Sequence, residues 1–241
     1  VLARAGVSSR RAAEKLIAEG RVLVNGRQMP PGTKVVVGID RVTLDGKPLD
    51  LASPQLVTYA LNKPRLVVTT LNDPQGRRTV REFVSAVDAR LFPVGRLDFD
   101  AEGLLLMTND GELAYRLTHP KFAVSRTYVA TVAGKVAEST IDRLRAGIAL
   151  TDGVATPIRV DATRRADDAT DLEIVVAEGR NHLIKRLCEA VGHDVRRLRR
   201  VEYGGVWLGR LASGKMRLLS DAEVRALRES AAVSGDPSGA D

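Results

Sequence analysis

Two carboxylates, Asp98 and Asp100, flank Phe99 within Gly95-Arg96-Leu97-Asp98-Phe99-Asp100-Ala101-Glu102-Gly103, directly ahead of the apolar run Leu104-Leu105-Leu106-Met107. A carboxylate delivered at the lip of a buried strand can serve as a nucleophile or as a base. The same residue in a turn more often only caps backbone N–H groups. Arg96, two positions earlier, can clamp a phosphate or a carboxylate. The alternation of Leu97 and Phe99 with the two aspartates reads as a strand edge, which sends Asp98 and Asp100 to opposite faces. That pattern argues against a hydrolase built on a carboxylate pair. His119 and His193 read as structural or surface residues and Cys188 as helix packing, since no partner in the sequence forms a catalytic relay with them.

The elements that must position these groups fit in a chain of 241 residues, 44% of them hydrophobic, long enough for a full core with one large and one small domain. Lys and Arg number 37 against 30 acidic residues, a net charge of +7 that favours a polyanionic partner, nucleic acid first. With 4% aromatic residues, binding is expected to lean on phosphate contacts rather than on a platform of stacked bases. A single cysteine excludes an internal disulfide, and three histidines offer no ligand set spaced for structural zinc, so no metal is expected. No segment has the length of a signal peptide core or a membrane span, and the expected setting is the reducing cytoplasm. Because the chain begins at Val1 within what reads as half a helix, a few residues are expected upstream.

In chain order, residues 7–20 predict an amphipathic helix with a serine N-cap and a terminating Gly20. Residues 21–27 form a hairpin around Asn25-Gly26, whose residues suit a type I′ turn. Between residues 1 and 29 the basic residues Arg4, Arg10, Arg11, Lys15, Arg21 and Arg27 face only Glu14 and Glu19, a density that suggests a phosphate-reading surface. Strands are predicted at 34–37 and 42–44, a polar linker at 50–56, and further strands at 56–62 and 66–70. A helix follows at 79–87, then the Asp98 segment and its buried strand. Beyond it lie a helix at 112–117, a strand at 125–132, a helix at 139–145, strands at 156–160 and 171–176, a helix at 181–191 and a basic strand at 195–201. Short strands at 206–208 and 216–219 precede a helix at 221–229 capped by Ser220, and the tail 234–241 reads as disordered.

The front segment resembles the S4 domain, a small RNA-binding module, through Gly6-x-x-Ser9-Arg10-Arg11, Gly20-x-Val22 and Val24-Asn25-Gly26. The resemblance implies RNA contacts across the helix face and hairpin, from Arg4, Ser9, Arg10, Arg11, Lys15, Arg21 and Asn25.

Residues 57 to about 230 resemble the catalytic domain of the pseudouridine synthases, in the RsuA/RluB-like family that modifies ribosomal RNA. Three segments carry the resemblance: Gly95-Arg96-Leu97-Asp98 with Glu102-Gly103-Leu104-Leu105 and Thr108-Asn109-Asp110-Gly111; Arg126-Thr127-Tyr128; and Glu178-Gly179-Arg180-Asn181-His182-x-x-Lys185-Arg186. Together they imply an α+β protein. A small S4-like domain at 1–49 and a linker at 50–56 precede a synthase domain at 57–233 with a mixed, mainly antiparallel sheet. The implied reaction isomerises one uridine of ribosomal RNA, most specifically of the 23S RNA of the large subunit, by a monomer without a cofactor.

The resemblance assigns the catalytic carboxylate to Asp98, leaving open whether it attacks the sugar, attacks the ring or removes a sugar proton. Keeping a desolvated carboxylate ionised calls for a cation, which within about 4–6 Å lowers its pKa by roughly one to three units. Motif alignment points to Lys185, with Arg186 the alternative, because only one of two adjoining helical residues can face inward. Tyr128 is implied to stack on the uracil, and Arg96, Arg180 and Arg186 to contact RNA, Arg96 holding a phosphate or filling the gap left by a flipped base. Two departures stand out: Leu183 where glutamine is common, and Arg126 where lysine is frequent. A ribosome-assembly factor that binds RNA without catalysis is the alternative reading, and the intact Gly-Arg-Leu-Asp block argues against it.

Overall fold

The computed structural model describes residues 1–3, 5–51 and 54–232. The expectations for Arg4 and for the tail 234–241 lie outside the described residues.

At the front, α1 (Arg10–Ala18) starts where the Ser9 hydroxyl accepts the Ala12 N–H at 3.2 Å and ends ahead of Gly20. Strands β1 (Val22–Val24) and β2 (Arg27–Gln28) are joined by Asn25 and Gly26, at φ 52° and 78°. Both central residues are left-handed, as a type I′ turn requires. The Asp45-Gly46 pair repeats the device between β3 (Val42–Leu44) and β4 (Lys47–Pro48), giving a sheet of order β2-β1-β3-β4. Leu2, Ala13, Val22, Val42 and Leu51 form the core beneath it. Leu51, assigned to the linker from sequence, is therefore part of this core. Residues 34–37 form no strand: Val36 and Val37 are exposed, and the loop folds back so that the Val36 N–H reaches the Asp40 carboxylate at 2.8 Å. Their β-branched side chains have no neighbouring strand to pack on.

The larger part begins with β5 (Thr58–Lys63), α2 (Arg81–Val84), β6 (Phe92–Pro93) and β7 (Glu102–Thr108). It continues through α3 (Gly111–Thr118), β8 (Arg126–Ala133), α4 (Glu138–Ala146), and the hairpin of β9 (Ile148–Leu150) and β10 (Gly153–Ala155). Then come β11 (Arg159–Arg165), β12 (Ala169–Val176), α5 (Leu183–Ala190), β13 (Val195–Tyr203), β14 (Val206–Trp207), β15 (Met216–Leu218) and α6 (Asp221–Ser230). The main sheet runs β11-β12-β8-β13-β7-β5-β15, with β14 beside β13 and β6 beside β7. Among the described residues β13 and β7 are the sheet's only parallel strand pair, so the sheet is mixed and mostly antiparallel, as the α+β expectation has it.

Strand β7, between β13 and β5 in the sheet, is buried at every residue from Gly103 to Thr108. Its side chains alternate between two cores. Leu105 and Met107 join Leu61, Leu172, Ile174 and the α5 residues Leu183, Ile184, Leu187 and Cys188; Leu104 and Leu106 join Ala60, Leu113, Leu117, Tyr203 and Leu227. A strand covered on both faces reads as a continuous apolar run, which is why Leu-Leu-Leu-Met was legible. Asp110 ends the strand and starts α3, accepting from the N–H groups of Glu112 and Leu113, and its other oxygen receives Arg228 of α6 at 2.6 Å.

Three further expectations need correction. Residues 66–70 form no strand, since Leu66 takes φ 60° and Val68 makes only an isolated bridge to Thr79. The helix expected at 79–87 is the single turn α2. The strand expected at 156–160 starts only at Arg159, just past Pro157, which has no N–H to give to a ladder.

Candidate active site

Asp98 does not lie on a strand. The chain leaves β6, passes Gly95 at φ +69° and reaches Asp98 without regular structure; residues 99–100 then turn before β7 starts. This loop is pinned by residues 65–69, which overlap the segment that the sequence reads as a strand. The Thr69 hydroxyl donates to the Leu97 carbonyl at 2.6 Å and accepts the Leu97 N–H at 3.2 Å. The Leu66 N–H reaches the Phe99 carbonyl at 2.7 Å, and Arg65 holds the Asp100 carbonyl at 3.1 Å. Leu97 is buried, so its two bonds to Thr69 fix the backbone immediately before the carboxylate. No periodicity marks Thr69 for this task.

The turn brings Asp98 and Asp100 to the same side, contrary to the alternation read from sequence. Lys185 Nζ lies 2.6 and 2.8 Å from the two oxygens of Asp100 and 3.7 Å from Asp98 Oδ2. Arg186 turns the other way, to Asp152 at 2.9 Å. Asp98 keeps 27% of its side chain exposed, so its desolvation is only partial. The hydrogen bond from Lys185 also holds the Asp100 carboxyl below its ordinary range.

Helix α5 delivers Lys185 from an unusual start. His182, its N-cap residue, sits at φ 50°, a left-handed conformation that costs a non-glycine residue. Its ring Nε2 lies 3.5 Å from Asp98 Oδ1. Sequence reasoning gave His182 no separate role, and a left-handed backbone leaves no sequence signal at a histidine.

A cavity of about 150 Å³ opens beside Asp98, lined among others by Arg96, Tyr128, Arg126, His182, Arg200 and Tyr203. Arg96 is exposed at its rim. Tyr128, half-buried on β8, points its hydroxyl toward Arg200 Nη1 at a long 3.5 Å. Arg126 is buried and committed to the Leu117 carbonyl at 2.9 Å and the Tyr203 hydroxyl at 3.1 Å. Arg180 is saturated: two bonds to Glu178 at 2.7 and 2.9 Å, one to Asp152 at 3.0 Å, and contacts to the Gly153 and Val154 carbonyls at 3.0 and 2.9 Å. It fastens the loop before α5 to the β9–β10 hairpin and is committed within the protein.

The buried lysine Lys63, at the end of β5, donates to the carbonyls of Pro64 and Val67 at 3.0 and 2.8 Å. Burial pulls its pKa down to about 8, partly offset by Asp98, Asp100 and Glu102 nearby. Cys188 is buried and its thiol pushed up to about 12 by that burial, which leaves it a packing residue. His193 Nδ1 is 2.8 Å from the Ala133 carbonyl. Among the described residues no three metal-ligating side chains gather, and no helix is long and apolar enough to cross a membrane.

In the front part, the roles of the expected RNA-contact residues divide. Arg10 and Arg11 are exposed on α1. Lys15 is 3.8 Å from Glu19, and Arg21 is held bidentately by Asp45 at 2.9 and 2.6 Å. Asn25 spends its side chain on the loop, donating to Asp40 at 2.8 Å and accepting the Arg41 N–H at 2.9 Å.

Asp98 and Tyr128 thus line one cavity and Lys185 stands 3.7 Å from the carboxylate, in a chain that also carries a basic front module. The model of the RNA pseudouridylate synthases matches residues 57–190 and that of the S4 domain residues 1–38. The chain belongs to the RNA pseudouridylate synthase family, isomerases that act on RNA. It is 47% identical over 229 residues to an uncharacterized RNA pseudouridine synthase of Aquifex aeolicus, covering 94% of this chain and 91% of that protein. It is 39% identical over 230 residues to the ribosomal large subunit pseudouridine synthase B of Bacillus subtilis, covering 95% and 93%. A crystal structure of a pseudouridylate synthase superposes with a TM-score of 0.68 at 29% identity, over 94% of this chain and 96% of that one.

Proposed function

We propose that this protein converts one uridine of 23S ribosomal RNA to pseudouridine, acting as a cytoplasmic monomer with Asp98 as the catalytic carboxylate. The observation that carries the reading is the placement of Asp98: at the lip of a cavity also lined by Tyr128, with Lys185 3.7 Å away. The similarity to the large-subunit synthase B of Bacillus subtilis supports the choice of RNA.

The reaction breaks the bond from base nitrogen to sugar carbon, turns the base and rejoins it through ring carbon 5. Asp98 is within reach of a nucleotide flipped into the cavity and has the Lys185 ammonium beside it, so it can act as nucleophile or base. Tyr128 supplies a flat wall for the uracil ring. Arg96, exposed at the rim, holds a phosphate of the extruded nucleotide, replacing part of the stacking lost on flipping, a cost of a few kcal/mol. Arg10 and Arg11 on α1 add phosphate contacts remote from the chemistry. Arg180, Arg186, Lys15, Arg21 and Asn25, which already have protein partners, contribute to RNA binding by shaping the surfaces around those contacts.

Pseudouridine-specific chemical mapping of ribosomal RNA from cells carrying the wild type, an Asp98→Asn variant or a deletion tests this. One signal in 23S RNA should vanish in both the deletion and the variant. A variant that restores it to the wild-type level removes Asp98 from the chemistry, and a signal lost from 16S RNA instead overturns the substrate.

A further inference from the structure

The floor of the cavity holds a charge that the proposed roles leave unused. Arg200, on β13, is 2% exposed, among the most deeply buried large side chains of the protein. Its Nε donates to the Leu104 carbonyl at 2.7 Å and its Nη1 reaches toward the Tyr128 hydroxyl at 3.5 Å, while Nη2 is buried with no hydrogen-bond partner. Among the described residues no carboxylate stands within ion-pairing distance of it. Its guanidinium lies over the Tyr203 ring at 4.9 Å from the centroid, and Arg126 lies over the same ring at 4.7 Å. Two buried cations thus share one aromatic ring beneath the cavity.

A buried, permanently charged guanidinium with an idle donor is costly unless something supplies the acceptor. Arg126 has found its acceptors in the Leu117 carbonyl and the Tyr203 hydroxyl; Arg200 Nη2 has not. Arg200 and Asp98 both line the cavity, and nothing in the protein satisfies Nη2, which makes a group entering the cavity the candidate acceptor.

We propose that Arg200 forms an oxyanion site at the cavity floor, donating from Nη2 to a ring carbonyl oxygen of the target uracil and stabilising the negative charge that the reaction places there. This rests on the reading of the cavity as the site of uridine isomerisation. When the bond between N1 and the sugar carbon breaks, its electron pair stays with the base, and the charge spreads over N1 and the two carbonyl oxygens. Ring carbon 5 then donates a pair to the sugar carbon, and its proton leaves to a base. If a carboxylate instead adds to the ring, the displaced pair again collects on a carbonyl oxygen. Either way charge develops on the base after binding, which is where a preorganised donor in a water-poor site accelerates a reaction.

The test uses the full-length protein and an in vitro transcribed 23S RNA fragment carrying the uridine mapped above. Arg200→Gln should slow single-turnover conversion at saturating enzyme by about a hundredfold or more, the cost of losing one such donor. Arg200→Lys, which keeps the charge, should lose less, and RNA affinity should stay within about threefold of wild type in both, as for a group that acts after binding. With 5-fluorouridine at the target, followed as loss of the substrate nucleoside, the gap between wild type and variant should shrink, because fluorine itself stabilises charge on the ring. Wild-type turnover by Arg200→Gln, a loss that appears only as weaker binding, or a gap that fluorine leaves unchanged overturns the inference. If Arg200→Gln does not unfold cooperatively, Arg200→Lys carries the test by the same fluorine comparison. Asp98→Asn separates the two readings: an active Asp98→Asn sinks the assignment of the site, whereas an inactive one beside an unimpaired Arg200→Gln sinks the oxyanion site alone.

Discussion

Lys185 Nζ is bound at 2.6 Å by Asp100 and stands 3.7 Å from Asp98, so one ammonium is divided unequally between two carboxylates that flank a single residue. Asp100 anchors the lysine beside Asp98, and Asp98 receives the weaker share of the charge. Removing the anchor frees the lysine to close on Asp98; removing the lysine leaves two neighbouring carboxylates to repel each other. Asp100→Asn is therefore expected to keep its modification rate within about tenfold of wild type, whereas Lys185→Met should lose about a hundredfold or more, corresponding to over roughly 2.7 kcal/mol in the barrier. Rates of pseudouridine formation on one RNA fragment decide it. Equal losses would mean that the pair acts as a unit.

Lys63 should leave a mark on the pH dependence of stability. Its pKa falls from 10.5 unfolded to about 8 folded because the ammonium is buried. Between those values the unfolded chain binds the extra proton, so unfolding free energy rises with pH through this window and the penalty is complete below pH 8. Urea unfolding of wild type and Lys63→Met from pH 7 to 10.5 checks the sign: the difference between the two should change steadily across the window. A constant difference means that Lys63 is not desolvated.

Gly103 meets a hard steric limit. It sits at φ +103°, and a Cβ there would collide with the backbone carbonyl of Arg200 and approach its nitrogen at 2.9 Å, across the one parallel pairing of the sheet. Gly103→Ala is expected to destabilise by about 1–3 kcal/mol or more, since backbone strain and a displaced strand act together. Thermal unfolding reads this directly. Activity should fall alongside, because the displaced partner is the residue at the cavity floor.

Arg10 and Arg11 are exposed at the start of α1, a surface suited to binding phosphates. The double change to glutamine should weaken RNA binding and lower the salt slope by about one for each phosphate that the variant no longer neutralises. Conversion at saturating RNA should be unaffected. An unaltered slope would place the RNA elsewhere on the front module.

What the sequence made legible were the elements whose signals are local. The serine caps of α1 and α6 and the left-handed Asn25-Gly26 turn follow from residues close in the chain. What it hid depended on partners far away. Val36 and Val37 look like strand residues but have no strand beside them, and Ile148 to Ala155 pairs into a hairpin whose turn interrupts its apolar pattern. In the site, Asp98, Lys185 and Tyr128 were visible through the motifs that contain them. Thr69 and His182 were not, because their contributions are a backbone bond and a backbone angle. Arg200 was obscured by the arginines around it, although its phase with Leu198 along β13, both buried while Arg196 and Arg197 are exposed, was the available signal.

The two-sided burial of β7 constrains how this protein can vary through descent. Leu104 and Leu106 belong to one core and Leu105 and Met107 to the other, so gaining or losing a single residue between Gly103 and Met107 would swap the two sets at once and shift Asp98 relative to Lys185. Substitutions of similar volume are tolerable there, but changes of length are not. The segment behaves as a fixed ruler: divergence can rewrite its letters while its spacing stays constant.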